Sequence, residues 1–272
     1  MNGMPRKFAP FRIWRLALIA TVVVIGLSRA PSHAGTALCP DTDITISGGS
    51  ATDIALACAG VQDAASFLPT LGLALPERLP IEFVDAQSTR EEWRSLGHFD
   101  ARRNVVKLLS FDAAVEMTRR GGPFGGVAMN QALWRSYVVH ELAHAATHRH
   151  VASPGVPFAA KEYIAAVAQF STVAADTRRA ILDNYPDARG FASGAQIREE
   201  FYLIDPCLFA VKSYLHYLDP ENGPRFVSRL LDEKQPPLGT SGSPTGAISE
   251  LPQTRYLAGR MQCNPARGGA RR

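Results

Sequence analysis

Apolar and polar positions change rhythm several times along this chain, and each change marks an element. An apolar run fills residues 16–27. Short alternation at Ile44-Thr45-Ile46 predicts a strand, the Gly48-Gly49 pair a turn, and an alanine-rich stretch over residues 51–68 a helix. Ile81-Glu82-Phe83-Val84-Asp85 has strand composition, and Ser88 and Glu91 stand at capping-box spacing for the helix that follows. Residues 97–100 and 104–109 predict the arms of a hairpin turning at residues 101–103, with a short helix over 112–119 behind them. The block Gly121-Gly122-Pro123-Phe124-Gly125-Gly126 lacks the lysine and the serine or threonine of a phosphate-binding loop, so it reads as a connection.

Beyond that block the period is helical. Asn130 is a suitable cap for a helix reaching about His148, in which Leu133, Tyr137, His140 and His144 share one face. Ala143, Ala145 and Ala146 leave its flanks slim, so that neighbouring helices can approach closely. Ser153-Pro154-Gly155-Val156-Pro157 breaks the chain, and residues 159–173 resume as a strongly apolar helix with Glu162 one turn in. Further helices are predicted over residues 175–184, 195–204, 206–218 and 226–233, the third opened by Asp205 as cap and Pro206 as first residue. Residues 235–253 are rich in Pro, Gly, Ser and Thr without periodicity, which predicts a loop or disorder, and residues 266–272 form a basic tail.

The sequence carries 29 Lys+Arg against 25 Asp+Glu, a balance that invites a nucleic-acid reading. The excess lies in the first 34 residues, where Arg6, Lys7, Arg12, Arg15 and Arg29 flank the apolar run with no acid among them. That run is shorter than the roughly 20 residues of a membrane span, and Ser32-His33-Ala34 offers the small residues of a cleavage site. A signal peptide over residues 1–34 is expected, with the mature chain periplasmic or secreted and touching the membrane only during export. Removing it leaves 24 basic against 25 acidic residues, a net charge of −1, and no case for nucleic acid. Cys39, Cys58, Cys207 and Cys263 all lie beyond the leader, and their even number and wide spacing in an exported chain favour disulfides over a metal site. Proximity in the chain suggests Cys39 with Cys58 and Cys207 with Cys263. The expected organisation is a disulfide-tied segment over residues 35–75, a main domain over 76–234, and a flexible end over 235–272 tied back by Cys263.

Chemistry concentrates in His140-Glu141-Leu142-Ala143-His144. Residues four apart share a helix face, so both imidazoles can reach one metal ion while Glu141 addresses a water beside it. A hydrolytic zinc site needs a third protein ligand and an open position for water. Glu162 is the first candidate: the chain has room to finish one helix, turn, and bring a second alongside, and a carboxylate facing an apolar interior calls for a positive partner. His150 is the alternative, because His140, His144 and His150 match the spacing of the metzincin motif; Thr147, however, stands where that motif has a glycine to permit a sharp bend. His148, two turns from His140, is ~12 Å away along the axis and too distant to share the ion.

The HELAH motif followed by a glutamate on the next helix resembles the gluzincin branch of zinc metallopeptidases. The resemblance implies an α+β, helix-rich, zincin-like domain with a small antiparallel sheet ahead of the motif helix, zinc held by His140, His144 and Glu162, and Glu141 as general base. The chain departs from thermolysin-like members at Ala166, where those carry an aspartate that orients a histidine. The expected function is that of an exported zinc peptidase acting on a peptide or protein substrate. In that chemistry the water's proton passes through Glu141 to the leaving amine, and a second donor to the oxyanion is sought among Tyr163, Tyr202, Tyr214 and His216. Residues 104–109 offer a strand with which an extended substrate can pair. The competing reading is a non-catalytic zinc-binding or partner-binding envelope protein, in which a fourth protein ligand would close the metal site.

Overall fold

The sheet comes first in the chain and sets the frame for the helices. A computed structural model describes residues 36–84, 95–121, 124–150 and 156–232. Thr36–Leu38 (β1) pairs antiparallel with Thr45–Ser47 (β2), and β2 lies parallel to Pro80–Val84 (β3). Strand β3 lies parallel to Val105–Leu109 (β5), which pairs on its other side, antiparallel, with Gly97–Asp100 (β4). The order is β1-β2-β3-β5-β4.

This mixed sheet corrects the antiparallel one expected. The β4–β5 hairpin stands where the pattern put it, its turn held by Asp100 Oδ1, which accepts from the backbone N–H of Arg102 and Arg103. Between β2 and β3, however, the chain passes through the helix Ala51–Phe67 (α1), and such a crossover returns the next strand in the same direction. The topology also corrects the strand assigned to an extended substrate. β5 is interior and paired on both edges, whereas β4 is outermost.

Helix α1 begins in a full capping box, Ser50 Oγ accepting from Asp53 N–H and the Asp53 carboxylate accepting from Ser50 N–H. Asp53 is buried and its second oxygen accepts from Phe111 N–H at 2.8 Å, tying α1 to the start of Phe111–Gly121 (α2). The Cys39–Cys58 disulfide, Cα–Cα 5.2 Å, fastens the β1–β2 loop to the same helix. Cys207 is also disulfide-bonded; Cys263, its expected partner, lies outside the described residues.

Gln131–His150 (α3) is the centre of the packing, with α1 against one side, Phe158–Thr172 (α4) against another, and β4 and β5 against a third. Asn130 caps it as predicted, its Oδ1 accepting from Leu133 N–H at 2.8 Å. Small residues permit the approach: a Cβ on Gly60 of α1 would lie 2.7 Å from Val138 Cβ and 3.0 Å from the Arg135 carbonyl. Arg135 also pairs with Asp63 of α1 at 2.7 Å. α4 is buried along almost its whole length, and Arg178 caps its last turn by donating to the carbonyls of Phe170 and Val173.

Ala175–Asp183 (α5), Glu199–Ile204 (α6), Pro206–Tyr217 (α7) and Gly223–Leu231 (α8) complete the helices. Asp205 caps α7 by accepting from Leu208 N–H at 2.9 Å, with Pro206 at the first position, as expected. The single helix expected over residues 195–204 divides into a 3-10 turn, Gly194–Gln196, and α6, because Ile197 turns into the core with ψ 88°. The leader, the Ser88–Glu91 capping box, Gly122 and Pro123, the break at residues 151–155 and the end from residue 233 lie outside the described residues.

Candidate metal centre

Two helices bring the chemistry together. On α3 the four-residue step turns His140 and His144 the same way, and their Nε2 atoms stand 3.1 Å apart. α4 packs along this face and delivers Glu162, whose Oε2 lies 3.5 Å from His140 Nε2 and whose Oε1 lies 3.5 Å from His144 Nε2. One donor atom from each residue can be chosen so that all lie within 4.8 Å of one another. The group can therefore hold a metal ion. Tetrahedral zinc, with bonds of ~2.0–2.1 Å, spaces its ligands ~3.3 Å apart, close to the separations found.

Glu162 has the environment of a ligand. It is 5% exposed, and its Oε2 has no hydrogen-bond partner among the described residues. Burial pushes its carboxyl up, but the neighbouring His144 and His140 imidazoles and the Tyr202 hydroxyl together hold it below the usual range. A buried anion with an unsatisfied oxygen facing two imidazoles is a poor structural element without a cation. His144, pushed down to about 4 chiefly by burial, is neutral near pH 7, the form in which imidazole ligates.

Glu141 points to the other side of the pair, toward the sheet. It is buried, and burial first, with the Glu162 charge behind it, raises its carboxyl to about 7. The His140 charge and a hydrogen bond from the Phe99 backbone N–H work in the opposite direction. Leu109 N–H donates to the Leu96 carbonyl, so in the β4–β5 register Gly97 and Phe99 turn their backbone groups away from β5, outward from the sheet edge. The Phe99 N–H is therefore free to meet Glu141. At Gly97 the contact is closer still, as an added Cβ would lie 2.9 Å from Glu141 Cγ.

A second layer stands behind His140. Its Nδ1 lies 3.1 Å from Gln169 Oε1, Gln169 Nε2 donates to Ser136 Oγ at 3.4 Å, and Ser136 Oγ donates to the Leu133 carbonyl at 2.6 Å. Neither Gln169 nor Ser136 was read from the sequence as part of the site. A signal existed: Gln169 follows Glu162 by two helical turns and is a strongly polar residue in an apolar stretch, Ile164 to Phe170. The aspartate by which thermolysin-like members orient a histidine corresponds to Ala166, about one turn earlier on the helix.

Of the four candidate oxyanion donors, Tyr202 of α6 is the one beside the His140, His144 and Glu162 group, its hydroxyl against the Glu162 carboxylate and its ring edge-on to Phe158 and Phe209. Tyr163 turns away, its hydroxyl 2.8 Å from His216 Nδ1, and both rings pack against Phe226. Tyr214 stacks on Phe170. His150 is exposed at the end of α3, near Leu71 and Asp232. The helix runs unbroken through Thr147, and ten residues of rise carry His150 ~15 Å along the axis from His140, away from the group. Beside His140 and Glu162, a cavity of about 20 Å³, lined also by Tyr137, Gln169, Tyr202 and Phe209, has space for about one water.

The model of a protein family of unknown function, DUF6639, matches residues 44–235, a span that contains every residue placed at the centre. No curated protein and no solved structure matches the chain.

Proposed function

We propose that this chain, which belongs to the DUF6639 family, is an exported zinc-dependent peptidase with a zincin-like site. The observation that carries the reading is the convergence of His140 Nε2, His144 Nε2 and the partly unsatisfied Glu162 carboxylate, with Glu141 buried at their side. Two imidazoles and a carboxylate at tetrahedral spacing suit zinc, and three protein ligands leave a position for water. The group has three members among the described residues, which favours a catalytic over a closed structural site. Zinc held there would acidify a water and polarise the scissile carbonyl.

The chain's own residues supply the remaining steps. Glu141 accepts the proton of the attacking water and returns it to the leaving amine. The Phe99 N–H and the close fit at Gly97 hold that carboxylate in place. Tyr202 is the remaining candidate for the second donor to the oxyanion. An extended substrate pairs with β4, the outermost strand, which brings its backbone alongside Glu141. The Cys39–Cys58 bond and the bonded Cys207 fit an oxidising compartment, in keeping with the leader.

The test is metal analysis with hydrolysis of a peptide library. The purified protein is expected to carry one zinc and to cleave peptides, and Glu141→Gln to keep the zinc and lose cleavage. A protein without stoichiometric zinc, or a fully active Glu141→Gln, would end the reading.

A further inference from the structure

Building on the zinc reading, we infer that Gln169 is a positioning residue that fixes the tautomer of His140 before any metal arrives, while His144 is left to adapt. The chain of hydrogen bonds behind His140 ends at Ser136. Ser136 is buried, and its single hydroxyl proton is committed to the Leu133 carbonyl 2.6 Å away. Toward Gln169, Ser136 Oγ can then only accept. The Gln169 amide must therefore turn its NH2 to Ser136, which leaves its carbonyl oxygen for His140. Facing an oxygen, Nδ1 of the neutral His140 ring must carry the proton, and the lone pair of that ring then sits on Nε2, the atom that points at His144 and Glu162.

His144 has no such support. Its Nδ1 has no hydrogen-bond partner among the described residues, and its Nε2 faces both His140 Nε2, an acceptor in this arrangement, and Glu162 Oε1. In the metal-free protein the proton of His144 belongs on Nε2, where it can be donated to either. A metal bound there would require that proton to leave Nε2 for Nδ1 or for solvent, whereas His140 would need no change.

Gln169 also differs in charge from the carboxylate that often backs a metal-bound histidine. It orients the ring without adding negative charge to a centre that already holds the Glu162 carboxylate. With two neutral imidazoles and one carboxylate around a dication, the site would carry a net charge of +1, which the neutral amide would leave undiminished.

Nitrogen-15 NMR of the metal-free full chain at alkaline pH, with zinc affinity measured by chelator competition, tests the assignment. His140 is expected as the Nδ1–H form and His144 as the Nε2–H form. Gln169→Leu should release His140 from the Nδ1–H form and weaken zinc by ~10–100-fold, and Gln169→Glu, which restores an acceptor, should recover both. An Nε2–H form of His140 in the unmodified protein, or a Gln169→Leu variant with unchanged tautomer and affinity, would overturn it. Should Gln169→Leu fail to fold, the tautomers of the unmodified protein and of Gln169→Glu still decide. A protein that shows the Nδ1–H form of His140 but binds no zinc would retain the hydrogen-bond assignment and reject the metal site.

Discussion

A Cβ placed on Gly97 would stand 2.9 Å from Glu141 Cγ and 3.2 Å from Glu141 Oε1, so the edge strand rests directly on the proposed general base. The same Cβ would meet Leu108 Cδ2 at 2.8 Å, and the strand has no room to retreat on that side without moving β5. Gly97→Ala should therefore cost ~1–3 kcal/mol of stability as an overpacked contact. Because the proposed ligands lie on α3 and α4, the proposed zinc content should be normal while the proposed hydrolysis falls sharply. Denaturant titration and metal analysis of the one variant check both halves.

The two candidates for the third ligand lie apart, which makes them easy to separate. Glu162→Ala should abolish stoichiometric zinc, as it removes the carboxylate between the two imidazoles. His150→Ala, at an exposed helix end, should leave zinc affinity unchanged. Chelator competition on the pair decides the assignment, and equal losses in both would contradict it.

Tyr202→Phe removes a hydroxyl without emptying its place between Phe158 and Phe209. If Tyr202 serves the oxyanion, kcat should fall by ~10²–10³ with zinc retained. A collapse of zinc affinity instead would assign the hydroxyl to holding Glu162 and remove it from the list of oxyanion donors.

Acid should weaken the fold through His216. Its imidazole is buried, and burial, with the nearby Arg229 charge behind it, holds it below the ordinary value of 6.5 despite Asp219. In the unfolded chain it takes a proton as the pH falls past 6.5, while in the folded chain it resists. The unfolded state then binds more protons, so the stabilising difference is present above that pH and is lost on acidification toward the folded value. His216→Gln, which keeps an acceptor for Tyr163 but cannot titrate, should show a shallower decline below pH 6.5 in urea titrations.

Much of this architecture was legible because the relevant signals are local. The Asn130 and Asp205 caps, the β4–β5 hairpin and the four-residue spacing of the histidines each depend on a few neighbouring residues, and each stands where the pattern put it. The mixed character of the sheet depends on which strands meet after a helical crossover, and strand composition is the same for parallel and antiparallel partners. Gln169 was missed for a similar reason: its role comes from α4 lying against α3, and a lone glutamine in an apolar helix does not announce its partner. The dispersal of Tyr163, Tyr214 and His216 into aromatic contacts is likewise a matter of which face each helix turns inward.

α4 is buried on nearly all sides, and it carries both Glu162 and Gln169. Part of the candidate metal centre and much of the protein's interior are thus written on the same fifteen residues. A substitution there is judged twice, once for packing and once for chemistry, which leaves little freedom for drift. If the proposed hydrolysis holds, divergence in substrate should fall instead on the borders of the centre, the outermost strand β4 and the short helix α6, where Leu203 and Ile204 face solvent within two residues of Tyr202. Such a division would let the borders of the centre change without reopening the problem of folding.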